Sequence, residues 1–169
     1  TVGAYATAEG KELVLDEVRL TEHEIVSDPK LTHSYLKITG DPEFTELSVA
    51  LVLGNNNVPQ QESRVAAVQT LSGTGALRLL ATFFATHFPG CTILKSDPTW
   101  GNHKTIFNKS GLKQLNYRYW NAAKRNLNID GMLEDLNNAP NNSVVLLHCC
   151  AHNPTGVDPT KEQWGMICS

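Results

Sequence analysis

Three short polar stretches in the 169-residue chain carry the residue types that chemistry needs. The first is Ser72-Gly73-Thr74-Gly75, two hydroxyls and two glycines ahead of an apolar run. Free backbone N–H groups at a helix start, with the helix dipole behind them, favour an anion, and glycine lets it approach closely. The helix behind, from Ala76 to Phe84, reads as apolar nearly all round, with Arg78, Thr82 and Thr86 as one polar stripe. Such a helix is expected to be buried on most sides. A buried start with free N–H groups needs a partner, and phosphate is a good one. The plainer alternative is that Ser72 caps the helix and the glycines make a tight turn. A Walker loop is excluded, because Ala76 stands where its lysine must be. A dinucleotide fingerprint lacks its third glycine, since Arg78 follows Leu77. Asp97 nevertheless lies about 20 residues on, where a ribose-binding acid would sit.

The second stretch is SDPTWGNH, Ser96 to His103. Trp100 can offer its face to a flat heteroaromatic ring or simply fill a core. His103 can orient a carboxylate or a ring nitrogen, or cap a helix. The third is HCCAHNPTG, from His148 to Gly156. Pro154 holds Asn153 extended, and the Asn153 amide could donate to a ring oxygen; the alternative is a plain Asn-Pro turn. On a strand, His148, Cys150 and His152 would share one face, which invites a metal. Paired C-x-x-C spacing and a second ligand cluster are both missing, so no metal site is expected.

The elements that must position these stretches alternate. Helices are expected at 16–26, at 41–53 with Asp41 as cap and Pro42 in the first turn, after Gly75, and at 129–140 with Asp130 as cap. The end of the chain, EQWGMICS, also reads as helix. Strands are expected at 64–72, 91–96, 114–120 and 142–150, the last a continuous apolar run bounded by turn residues. GNNNVPQQES reads as loop. Alternation of this kind implies an α/β domain with a mainly parallel sheet and helices on both faces. Ligands bind such sheets off the carboxyl ends of the strands, where all three polar stretches fall.

Bulk properties exclude other classes. The net charge of −3 gives no basic footprint for nucleic acid. No apolar run is long enough to span a membrane. Four cysteines, two of them adjacent, read as free thiols of a reducing compartment. Adjacent strand residues point to opposite faces, which disfavours a bond between Cys149 and Cys150. Neither end carries a terminal signal, so the chain reads as a piece of a longer protein.

Taken together, VGAY, YLKITG, RVAAVQTLSGTGALR, SDPTWGNH, GMLEDL and LLHCCAHNPTGVDPT resemble the class I, fold-type I pyridoxal-phosphate aminotransferases, the aspartate aminotransferases among them. The resemblance implies that Ser72, Gly73 and Thr74 hold the cofactor phosphate, that Trp100 stacks on the pyridine ring, and that Asn153 bonds the ring hydroxyl oxygen and the substrate side. It implies that His103 and His148 stand behind the ring. Gly3 would gate the substrate. Tyr35 would reach the cofactor phosphate of a second subunit, in a homodimer. Residues 1–13 would belong to a small domain and 14–169 to an incomplete cofactor-binding domain. The reaction implied moves the amino group of aspartate to 2-oxoglutarate, in cytoplasm or mitochondrion, without nucleic acid, membrane or metal. The cofactor-linking lysine would lie beyond Ser169, leaving these residues inactive alone. Two other readings remain: a non-enzymatic truncated form that pairs with intact subunits, and a dinucleotide-binding enzyme using Gly73, Gly75 and Asp97.

Overall fold

The computed structural model describes residues 6–56 and 58–169. They form two compact units, Thr1–Gln69 and Thr70–Ser169. No helix among the described residues is long and apolar enough to cross a membrane.

The first unit holds helices α1 (Asp16–Ser27), α2 (Pro42–Leu53) and the single turn α3 (Val58–Gln61). Asp16 and Glu17 sit in the first turn of α1, where negative charge suits the dipole. Asp41 caps α2 as expected, its carboxylate accepting from the Phe44 N–H at 3.0 Å. Gly40 precedes that cap at φ 92°, and a side chain there would overlap Gln69. The same Gln69 holds the entry to α2: its Oε1 accepts from the Asp41 N–H at 2.9 Å, and its own N–H donates to the Thr39 carbonyl at 2.9 Å. The stretch expected as loop supplies α3. No residue of α1 or α2 is buried.

The second unit runs α4 (Ser72–His87), β1 (Thr92–Asp97), α5 (Gly101–Lys109), β2 (Lys113–Arg118), β3 (Trp120–Asn121), β4 (Asn126–Leu127), α6 (Ile129–Asn137), β5 (Val144–Val145) and α7 (Lys161–Cys168). Its main sheet has the order β2-β1-β5 and is wholly parallel, in the α/β arrangement expected. β1 is covered on both faces. Ile93 joins Ala81, Cys91, Ile106, Phe107 and Leu112 on one side, against α4 and α5. Leu94 joins Tyr117, Tyr119, Leu127 and Met132 on the other, against α6. The alternation of a strand sends these two neighbours to opposite cores.

Several expectations need correction. Residues 64–71 pair with no strand among the described residues. The stretch is tied by single backbone bonds and not by a ladder: the Arg64 N–H donates to the Pro59 carbonyl at 2.8 Å and the Gln69 N–H to the Thr39 carbonyl at 2.9 Å. Helix α6 is capped by Asn128, whose side chain accepts from the Gly131 N–H at 3.2 Å, and not by Asp130. The final strand is much shorter than 142–150. Only Val144 and Val145 pair with β1, the Leu146 N–H adds a bond to the Leu94 carbonyl at 2.8 Å, and the chain then bends at Cys149–Ala151. His148, Cys150 and His152 therefore share no strand face, and no cluster that could hold a metal occurs among the described residues. All four cysteines are free, and Cys149 and Cys150 are both exposed. Helix α4 is not buried on most sides: only Ala81 is, while Leu79, Leu80 and Phe83 are exposed.

Candidate functional site

The loops that leave the carboxyl ends of β1 and β5 meet. Trp100 stands at the entry to α5, and its carbonyl accepts from the His103 N–H at 3.0 Å. Thr99 Oγ1 lies 2.8 Å from His103 Nδ1. From there a column of rings crosses the sheet end. Trp100 meets His103 edge-on at 5.3 Å, and His103 meets His148 edge-on at 5.3 Å. His148 stacks on His152 at 4.4 Å, and His152 stacks nearly parallel on Tyr119 at 3.8 Å.

The loop after β5 is tied down by its backbone. The Asp158 carboxylate accepts from the N–H groups of Ala151 and His152 at 2.7 and 2.8 Å. The Asn153 N–H donates to His148 Nδ1 at 3.1 Å. That bond makes Nδ1 an acceptor, so the proton of neutral His148 sits on Nε2. His148 Nε2 is buried and lacks a partner among the described residues, a donor waiting for an acceptor. Asn153 itself is exposed, and its side-chain amide makes no hydrogen bond among the described residues.

Electrostatics keep the imidazoles neutral. Burial, followed by the neighbouring His148 and Lys95, pushes His103 down to about 4. Burial, again reinforced by His148, pushes His152 down to about 4 against the opposing pull of Asp158. Burial lowers His148 as well. Burial, with Asp158 nearby, pushes Tyr119 up to about 12. Near neutral pH the column therefore carries hydrogen-bonding groups without charge.

The Ser-Gly-Thr-Gly turn begins α4 at Ser72 itself, one residue after the N-cap Leu71. Ser72 does not cap the helix; it has φ 57°, and Leu71 offers no side-chain cap. The Ser72 N–H donates to Thr70 and the Gly75 N–H to Leu71, at 2.9 and 3.0 Å. The N–H groups of Gly73 and Thr74 have no acceptor among the described residues. Contrary to the expected burial, this first turn is exposed, and a Cβ on Gly73 would meet nothing within 4 Å. One turn further, Leu77 packs on the same core as Trp100.

Trp100, His103, His148 and Asn153 are thus linked in series, each touching the next, and Ser72, Gly73 and Thr74 form the open start of a helix on the same core. Tyr35 lies in the first unit and is fully exposed. Gly3 lies outside the described residues. Sequence reasoning missed Ser96, Tyr119, Thr155 and Asp158, and weighed His152 only as a metal ligand. Their signal was faint: each is an ordinary residue beside a motif, and contact alone gives it meaning.

Residues 1–169 match the family model for aminotransferase class I and II. The chain belongs to this family. Among its aminotransferase relatives, the cytoplasmic aspartate aminotransferase of Oryza sativa subsp. japonica is 51% identical over 166 residues, covering 98% of this chain and 41% of the relative. The aspartate aminotransferase from Saccharomyces cerevisiae cytoplasm superposes with a TM-score of 0.95 at 44% identity, covering 98% of this chain and 40% of that one. An aromatic-amino-acid aminotransferase from Burkholderia pseudomallei, covalently bound to pyridoxal phosphate, superposes with a TM-score of 0.94 at 37% identity, covering 98% and 41%. The chain therefore spans about two fifths of the length of the relatives it matches.

Proposed function

We propose that this chain contributes the phosphate-binding and ring-binding half of a pyridoxal-phosphate site, in an enzyme that transfers the amino group of aspartate to 2-oxoglutarate. The carrying observation is the convergence of Trp100, His103, His148 and Asn153 where the β1 and β5 loops meet. Family membership and the relatives' names supply the reaction.

The residues present fit the cofactor's chemistry. The unpaired N–H groups of Gly73 and Thr74, with the Ser72 and Thr74 hydroxyls, would hold a phosphate at the helix start, where the dipole assists. The half-exposed Trp100 ring would cover one face of the pyridine. The free Asn153 amide would donate to the ring oxygen. When bound, pyridoxal phosphate supplies the electron sink that amino-group transfer requires. This chain's residues bind and orient it. His148 keeps its proton on Nε2, and His103 stays uncharged behind the ring, so neither adds a competing cation. The reading extends to a homodimer in which the exposed Tyr35 reaches the second subunit's cofactor phosphate and Gly3 approaches the substrate.

Titration with pyridoxal phosphate tests the site directly. Binding should quench tryptophan fluorescence, and Trp100→Phe should remove most of the quench while Trp120 and Trp164 remain. Gly73→Asp should weaken binding at least tenfold, by setting a carboxylate against the phosphate. Tight binding of a nicotinamide dinucleotide, with none of pyridoxal phosphate, would overturn the reading. The reaction itself is tested by oxaloacetate formation from aspartate and 2-oxoglutarate in the protein that carries this chain. Asn153→Ala should lower that rate.

A further inference from the structure

His152 belongs to neither the phosphate turn nor the ring contacts, yet it is 2% exposed and every polar edge of it is used. Its Nε2 lies 2.9 Å from Ser96 Oγ, and its Nδ1 lies 2.8 Å from Thr155 Oγ1. Ser96 is the last buried residue of β1 before the loop that carries Trp100. Thr155 lies two residues beyond Asn153. One face of the ring rests on Tyr119, which follows β2, and the ring also stacks with His148. The His152 backbone is fixed as well, its N–H by Asp158 and its carbonyl by the Gly156 N–H at 2.7 Å.

We propose that His152 is a positioning residue that couples the Trp100 loop to the Asn153 loop, so that ring stacking and amide donation are set by one side chain. This rests on the reading of these loops as the cofactor site. The coupling follows from the two hydroxyl partners. An imidazole with one N–H and one lone pair satisfies Ser96 with one nitrogen and Thr155 with the other. Moving either loop breaks one of those bonds and leaves a buried hydroxyl or nitrogen unpaired. Through His148, which takes the Asn153 N–H on Nδ1 and stacks on His152, the same ring also holds the backbone of Asn153.

Two variants separate positioning from mere support. His152→Phe keeps a flat ring against Tyr119 and His148 but drops both hydroxyl bonds. His152→Gln keeps one donor and one acceptor. We measure the melting midpoint, exchange of the Asn153 backbone amide with solvent, and the dissociation constant of pyridoxal phosphate. In His152→Phe the midpoint should fall by a few degrees, because two hydroxyls lose their partner, while in the folded protein amide exchange should quicken roughly tenfold and the dissociation constant should rise about tenfold. His152→Gln should recover part of both. Ser96→Ala should quicken Asn153 exchange even though it touches only the other loop.

Unchanged exchange and unchanged binding in His152→Phe would overturn the proposal. A lowered midpoint with exchange and binding of the folded fraction unchanged would do so too, because that is the mark of a purely structural ring. If His152→Phe does not fold, His152→Gln and Ser96→Ala decide, and parental Asn153 exchange in both rejects the coupling. Absence of pyridoxal-phosphate binding in the parent protein would sink the proposed function alone, since the exchange measurement needs no cofactor.

Discussion

Residues 6–56 and 58–69 make helices without a core, whereas residues 70–169 make a core around a single strand. Helix α1 and helix α2 bury no side chain, and Leu51 is 86% exposed. In the second unit Ala81 and Met132 are 0% exposed, and Ile93 and Tyr117 are 1% exposed. The two units do not differ in local signals. Asp41 caps α2 through the Phe44 N–H, and Thr160 caps α7 through the Gln163 N–H at 3.3 Å, with Gln163 Oε1 returning the bond at 2.9 Å. Local sequence therefore writes helices equally well in both places. What separates them is a central strand with apolar residues on both faces, which lets helices and loops share buried area. The exposed leucines, valines and isoleucines of the first unit form the kind of surface that another surface covers.

The largest expected effect tests that contrast. Met132→Ala empties a fully buried position in the second unit and should cost about 2–5 kcal/mol by chemical denaturation. Leu51→Ala in the first unit should stay within about 0.5 kcal/mol. Comparable losses at the two positions would mean that Leu51 is covered in the working protein.

Acid should act next, and on the second unit. His103 and His152 are both pushed down to about 4, below an unfolded value near 6.5. The unfolded chain then binds more protons than the folded one between those values. Stability from the neutral imidazoles is therefore complete above about pH 6.5 and is lost as pH falls toward about 4. Asp158 and Asp135, held low by hydrogen bonds, lose their contribution only below the ordinary carboxylate range. The melting midpoint should fall by roughly 5–10 °C between pH 7 and pH 5. His152→Phe should flatten that slope, and an unchanged slope in His103→Phe/His152→Phe would show that other groups govern it.

Much of this division was legible in the sequence, and the misses have physical causes. Helices α1, α2 and α7 and strands β1 and β2 announce themselves through spacing, caps and apolar runs. Residues 64–71 have the composition of a strand, but a strand exists only beside another, and composition does not name the neighbour. Residues 147–150 follow the apolar run of β5 with no ladder bond among the described residues, Leu146 making the last one to β1. Asn128 and Asp130 are both good caps, and only the backbone decides which one reaches the Gly131 N–H. The motif residues Trp100, His103, His148 and Asn153 could be picked out by type. The column that joins them through His152 to Tyr119 could not, because Tyr119 and His152 are far apart in the chain.

Cap removal should give smaller, local effects that keep the contrast sharp. Asp41→Ala and Thr160→Ala each remove one side-chain acceptor from a helix start and should each cost about 1 kcal/mol of local helix stability. Hydrogen exchange in the first turns of α2 and α7 reads this. If the first unit lacks a core of its own, the loss at Asp41 should spread along α2, while the loss at Thr160 should stay within the first turn of α7. Equal spread in both helices would erase the distinction.

The smallest effects belong to the surface ion pairs, and they still divide the units. Arg19 meets Glu22 through a single contact at 3.2 Å, with both side chains largely exposed. Arg118, at the end of β2, makes a fork: its Nε and backbone N–H bond Asp135 Oδ2 at 2.9 and 2.7 Å, and its Nη2 bonds Asp135 Oδ1 at 2.7 Å and Glu134 at 2.6 Å. The Arg118 guanidinium holds the Asp135 carboxyl below the usual carboxylate range. Exposed pairs are weak because solvent screens them and long side chains lose freedom. A planar fork on a strand and helix that are already fixed loses less of that freedom. Glu22→Gln should therefore leave the midpoint unmoved. Asp135→Asn should lower it slightly, and the drop should shrink in high salt. A salt-insensitive drop would assign the effect to the Arg118 N–H bond that caps the end of β2, and not to charge.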